Sequence, residues 1–229
     1  MTKIKELPYL EKNEIEEKAL ILLRETGMIQ ELATKKCVEV EEILENHLGL
    51  ALEVAPLGDD VFGGLYVAEK VVRVNETIYP DKDKKKIGIY NFTLAHECGH
   101  AVLHMPLLEV IADNMVLCRR SESYMQQEWQ ANFFASCLLM PKEIFIQVFY
   151  EMYDEIMCDE GKVIAKAFYD QKFIRKVRYK KQCVSNDAIL EVTFEGIAKR
   201  FGVSPRAAVI RMKELGLLKL DRRMTKLAS

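Results

Sequence analysis

Apolar positions recur first at helical and then at strand spacing along the N-terminal part of the chain. Ile15, Ala19, Leu22 and Leu23 form a stripe through a Glu- and Lys-rich stretch. The spacing predicts two helices, over residues 11–33 and 35–48. Leu50 to Ala55 reads as a strand ended by Pro56, and Gly58-Asp59-Asp60 and Gly63-Gly64 are turn signals. Leu65 to Ala68 and Val71 to Val74 read as β segments joined tightly at Glu69-Lys70, although Val71-Val72-Arg73-Val74-Asn75 alternates only partly. The expectation is a small antiparallel sheet whose edge lies within residues 65–75. Such an edge would hold an extended peptide by strand addition. Asp81 to Lys86 reads as a solvated loop.

The next helix carries the chemistry. Asn91 reads as its N-cap and Pro106 as its end. Leu94, Ala95, Cys98, Ala101 and Val102 make an apolar stripe, while Thr93, His96, Glu97, His100 and His104 take the other side. Within it, His96-Glu97-Cys98-Gly99-His100 matches H-E-x-x-H. Imidazoles at i and i+4 stand about 5–6 Å apart at Cβ, a span that two ligands of one tetrahedral zinc fit. Glu97 projects beside them, placed to take a proton from an attacking water. Of the four histidines in the chain, three lie between residues 96 and 104, whereas core histidines would scatter.

A catalytic zinc has three protein ligands and one open position. The third is either His104 or a carboxylate. A helix rises about 6 Å over four residues, so one ion is poorly placed to hold 96, 100 and 104 together; His104 reads as a supporting residue. Glu128 is the better candidate. It enters the apolar run Glu128 to Leu139 that Pro141 stops, with Asn132 on its own face, and a carboxylate there is costly to desolvate unless paired or bound to metal. Phe92-Thr93-Leu94-Ala95-His96-Glu97-x-Gly99-His100 followed by Glu128-x-x-Ala131-Asn132-x-Phe134-Ala135-x-x-Leu138-Leu139-Met140-Pro141 resembles the ImmA/IrrE-type zinc metallopeptidases, most firmly from Val71 to Pro141. The resemblance implies one Zn2+ per chain held by His96, His100 and Glu128, with Glu97 as general base. Tyr124 and Asn132 are candidates to stabilise the oxyanion or bind substrate. Cys98 and Gln130 depart from the family's usual aliphatic and acidic residues, and Gln130 removes an alternative ligand.

Composition narrows the class. The chain has 229 residues, 49% of them hydrophobic, and a net charge of −2, so it builds a core and has no general attraction to nucleic acid or anionic lipid. No apolar run approaches 18 residues and the first residues lack a signal-peptide core, which predicts a cytoplasmic protein with no membrane partner. Six cysteines without a C-x-x-C pair read as reduced thiols.

Beyond Pro141 the character changes. Residues 151–160 carry five acids and 172–181 six bases, a pair that reads as self-neutralising or solvated. Phe194 to Leu217 has the form of a helix-turn-helix: Gly202 closes the first helix, Ser204 caps the second with Pro205 at its first position, and Gly216 comes directly after it. Arg206, Arg211 and Lys213 would line its exposed face. DNA binding is the sharper reading, but a packed accessory or protein-recognition piece is favoured. The expected fold is α+β: a mostly helical zincin-like domain over 1–150 with a small antiparallel sheet, a connecting charged segment over 151–190 and a helix-turn-helix-like module over 191–229. The expected function is zinc-dependent cleavage of a specific protein, which the resemblance suggests is a helix-turn-helix transcriptional repressor. The rival is a non-proteolytic zinc-containing regulator or toxin–antitoxin partner acting through its C-terminal module.

Overall fold

The computed structural model describes residues 9–34, 36–80, 86–108, 122–153, 190–192 and 194–217, with the backbone alone at 107, 108 and 122–124. The acidic and basic runs within 154–189 and the loop at 81–85 lie outside the described residues. Two compact units divide the chain: Met1–Pro141 with Phe201–Val203, and Lys142–Arg200 with Ser204–Ser229.

In the first unit, α1 (Lys12–Glu25) and α2 (Met28–Ala33) replace the single helix expected over 11–33. The break falls at Thr26-Gly27, where the Thr26 hydroxyl donates to the Leu22 carbonyl at 2.8 Å and Gly27 turns left-handed. α3 (Val40–Glu42) runs into a π-turn at Ile43–His47, so residues 36–39, expected to be helical, are not. Three strands come next: β1 (Ala51–Ala55), β2 (Gly63–Tyr66) and β3 (Val71–Asn75).

The sheet is mixed rather than antiparallel. Its order is β1-β3-β2, with β2 antiparallel to β3 and β1 parallel to it. Val71, Val72, Val74 and Asn75 are all buried, and burial on both faces is why β3 does not alternate. It is the central strand, not an edge. Of the range expected to form the edge, only its start, in β2, does so.

Three helices complete the unit. α4 (Ile87–Leu103) packs on β2 and β3, and α6 (Glu122–Leu139) packs on both α4 and α1; the short α5 (Met105–Leu108) comes after α4. The α1 stripe of Ile15, Ala19, Leu22 and Leu23 is buried, as are Ala131, Phe134, Ala135 and Leu138 of α6. Each buried Leu, Ile or Phe contributes about 1.5–3 kcal/mol. α4 begins one turn earlier than Asn91, which is no N-cap. Among the described residues no single helix is long and apolar enough to cross a membrane.

The second unit contains α7 (Lys142–Tyr153), α8 (Glu195–Phe201) except its last residue, and α9 (Pro205–Glu214). Phe194 packs on Phe149 and Tyr153 with ring centroids 6.0 and 5.0 Å apart. Ser204 Oγ accepts from the Ala207 N–H at 3.2 Å and caps α9. Arg206 and Lys213 are exposed, but Arg211 is not: it is 1% exposed. At about 100° per residue, Arg206, Ile210 and Lys213 share a stripe, while Arg211 is carried about 140° away from Arg206, onto the face of Ala208 and Met212.

Candidate metal centre

The site exists because α6 approaches α4 unusually closely. A Cβ on Gly99 would stand 3.1 Å from both Cα and O of Ala131 and 3.2 Å from a Phe134 ring carbon. Glycine at this point of the H-E-x-x-H turn therefore lets the α6 backbone lie on α4. One turn before Ala131, Glu128 is carried over the two imidazoles.

Three donor atoms converge there. His96 Nε2 and His100 Nε2 are 3.0 Å apart, and the Glu128 carboxylate lies 3.3 Å from the first and 3.1 Å from the second. A tetrahedral zinc with bonds of about 2.0–2.1 Å needs its donors about 3.3 Å apart. Two neutral imidazoles and one carboxylate at these separations fit a catalytic zinc in number, type and spacing; no other such group occurs among the described residues.

Each imidazole is braced from behind. His96 Nδ1 lies 3.1 Å from Asn132 Oδ1. His100 Nδ1 lies 3.0 Å from His104 Nδ1, and His104 Nε2 is 3.0 Å from Gln130 Oε1. Both ring nitrogens of His104 are thus engaged, and it is not part of the convergent group. The helix pair supplies all of these: α4 gives the row of histidines, and α6 gives Glu128, Gln130 and Asn132.

Glu97 is buried, with 5% exposed. Burial raises its pKa above the ordinary carboxylate range, against the opposing charges of His96 and His100 and a hydrogen bond donated by the Leu65 N–H. Burial alone would lower His96, but the hydrogen bond to Glu128 and the charges of Glu97 and Glu128 outweigh it and raise its pKa. Glu128 resists burial: hydrogen bonds from His100 and His96 hold its pKa far below the usual range. His104, buried beside these rings, is lowered to about 4 and is neutral. Cys98 is fully buried, and burial pushes its thiol up, consistent with a packing role.

Of the residues singled out in the sequence, His96, Glu97, His100 and Glu128 come together, with Asn132 and His104 behind them. The Tyr124 side chain lies outside the described residues. Two contributors escaped sequence reasoning, and a third was read only in part. Gln130 registered only as a missing acid and Gly99 only as a poor helix former. The edge strand β2 reaches the site through the Leu65 N–H and through Gly63, where a Cβ would lie 3.5 Å from Glu97 Oε1; the Gly63-Gly64 pair was its available signal.

A search of curated proteins finds no match. Among solved structures, a Mycobacterium tuberculosis transcriptional regulator is similar with a TM-score of 0.51 and 16% identity, over 88% of this chain and 46% of that one. The chain spans about half the length of that protein, and the likeness is one of fold. Residues 73–168 match the family model Peptidase_M78, described as the IrrE N-terminal-like domain. The span contains both helices of the donor set, α4 and α6, so this part of the chain is similar to that domain family.

Proposed function

We propose that the chain is a zinc-dependent endopeptidase that hydrolyses a peptide bond in a specific protein target, a helix-turn-helix transcriptional repressor. The observation that carries this reading is the convergence of His96 Nε2, His100 Nε2 and the Glu128 carboxylate to within 3.0–3.3 Å, with Glu97 buried on the same helix. Zinc held there supplies Lewis-acid polarisation of the scissile carbonyl and lowers the pKa of the attacking water towards about 7. Glu97, with a raised pKa, takes the proton at its carboxylate and passes it to the leaving nitrogen. The Leu65 N–H orients that carboxylate. Because Leu65 lies on edge strand β2, a peptide added along this edge meets the site from the side of Glu97.

A purely structural zinc would need a fourth protein ligand. His104, the nearest remaining imidazole, is engaged at both nitrogens, which favours the open, hydrolytic reading. The choice of a repressor as target rests on the family's regulatory character and on the name of the structural neighbour, a transcriptional regulator. The test is zinc content and cleavage of the neighbouring gene's product, for wild type and Glu97→Gln. The variant should keep its zinc and lose cleavage by a factor on the order of 10²–10⁴. Cleavage retained at wild-type rate removes Glu97 from the mechanism.

A further inference from the structure

The pairing of β2 with β3 fixes which of its backbone groups face the site. The Asn75 N–H donates to the Phe62 carbonyl at 2.8 Å, and the register sets Gly63 opposite Val74, Gly64 opposite Arg73 and Leu65 opposite Val72. Hydrogen-bonded and non-bonded pairs alternate in an antiparallel ladder. Phe62, Gly64 and Tyr66 therefore bond to β3, and the N–H and C=O groups of Gly63 and Leu65 turn to the side that β3 does not occupy. There the Leu65 N–H meets the Glu97 carboxylate.

That hydrogen bond requires β2 to lie close on α4. A Cβ on Gly63 would stand 2.7 Å from Thr93 Cγ2, 3.3 Å from the Arg73 carbonyl oxygen and 3.5 Å from Glu97 Oε1. The first distance is far inside the roughly 3.5–4.0 Å at which carbon atoms meet. Thr93 yields little: it is buried, stiff at its branched Cβ, and one turn before Glu97 on the same face of α4. We infer that Gly63 is a positioning residue for Glu97: its missing side chain, seated on Thr93, sets the gap between β2 and α4 at which the Leu65 N–H reaches the carboxylate. The inference rests on the reading of Glu97 as the general base. With alanine at position 63 the strand must lift from the helix, and Leu65, two residues along, is carried off Glu97. His96, His100 and Glu128 belong to α4 and α6 and stay in place.

The test is amide exchange in the 15N-labelled full chain, as wild type, Glu97→Ala, Gly63→Ala, Thr93→Ser and the double variant Gly63→Ala with Thr93→Ser. Chelator competition gives the zinc affinity, and thermal melting checks the fold. Tyr66, bonded to β3, is the reference amide. In Glu97→Ala and in Gly63→Ala the Leu65 amide should exchange about tenfold faster than in wild type, or more, with Tyr66 unchanged. Thr93→Ser removes Cγ2 and keeps the hydroxyl, so the double variant should return Leu65 to within about threefold of the wild-type rate. Zinc affinity of Gly63→Ala should stay within about threefold of wild type, while kcat for cleavage of the neighbouring gene's product should fall by about 10–100-fold. A folded Gly63→Ala with wild-type exchange at Leu65 overturns the inference. So does equal acceleration of Leu65 and Tyr66, which would give Gly63 a role in the fold alone, and so does a double variant that recovers nothing. If Gly63→Ala does not fold, the double variant decides: folded with Leu65 protected it supports the inference, and unfolded or unprotected it overturns it. A wild type that cleaves nothing defeats the peptidase reading alone, because exchange and zinc binding need no substrate.

Discussion

The α4–α6 crossing and the α8–α9 pair are both helix pairs announced by short sequence signals, yet they use their polar residues in opposite ways. At the crossing, His96, His100, His104, Gln130 and Glu128 point at one another between the helices, and each is held by a partner 3.0–3.3 Å away. In α8–α9 the signals concern the backbone: Ser204 caps, Pro205 opens the helix, and Gly216 takes a φ of +70° after it. They leave open which side chains turn inward, and Arg211 is one that does. A motif whose residues share one ligand fixes side-chain direction. A motif of caps and turns fixes only where helices begin and end.

The largest effect that tests this contrast is loss of a shared ligand. Glu128→Ala leaves two imidazoles without the third donor, and zinc affinity should fall by more than about 100-fold in chelator competition, beyond the cost of losing an outer-shell partner. An unchanged affinity would separate α6 from the metal and end the distinction. Next comes the close approach itself. Gly99→Val puts methyl groups where even a Cβ meets the Ala131 backbone at 3.1 Å. It should destabilise the fold by about 1–3 kcal/mol and weaken zinc binding as well, because Glu128 rides on the displaced helix. In the second unit Gly216→Ala meets no atom within 4 Å and carries only the left-handed conformational penalty, about 1–2 kcal/mol, with zinc affinity unchanged.

This division also explains what was legible in the sequence. His96, Glu97, His100 and Glu128 could be read because metal chemistry demands those residue types at a fixed helical spacing. The strands were legible as elements, but the place of β3 was hidden: partial alternation is the trace of burial on both faces, and only pairing partners reveal it. The break at Thr26-Gly27 gave way to a longer helix because the Glu- and Lys-rich pattern runs through it. Gly99 and Gln130 were opaque for a different reason. Their roles lie in what they approach on another helix, Ala131 in one case and His104 in the other, and spacing along one helix carries no such information.

A smaller effect separates the two arginines of α9. Arg211, 1% exposed with its guanidinium 3.5 Å from Glu214, fills core volume, so Arg211→Ala should lower stability by about 1–3 kcal/mol. Arg206, on the outer stripe, should change it by less than about 0.5 kcal/mol on replacement by Ala. Urea titrations of both variants measure the difference, and equal costs would mean that the two side chains share an environment.

The smallest expected effect concerns DNA. A recognition helix reads a groove with several outward polar side chains and adds phosphate contacts around them. The outward stripe of α9 offers Arg206 and Lys213 with the 47%-exposed Ile210 between them; Arg211 is withdrawn. Two basic contacts release few counterions, giving a salt slope of only about −1.8. We therefore expect the full chain to show no duplex affinity tighter than about 100 µM at physiological salt, and Arg206→Ala with Lys213→Ala to leave whatever is measured unchanged. Fluorescence anisotropy at two salt concentrations decides it. Sub-micromolar binding that weakens steeply with salt and disappears in the double variant would make α9 a reading helix after all. Binding that survives in the double variant would instead belong to the six bases of residues 172–181, and the contrast between a ligand-directed crossing and a packing-directed helix pair would stand.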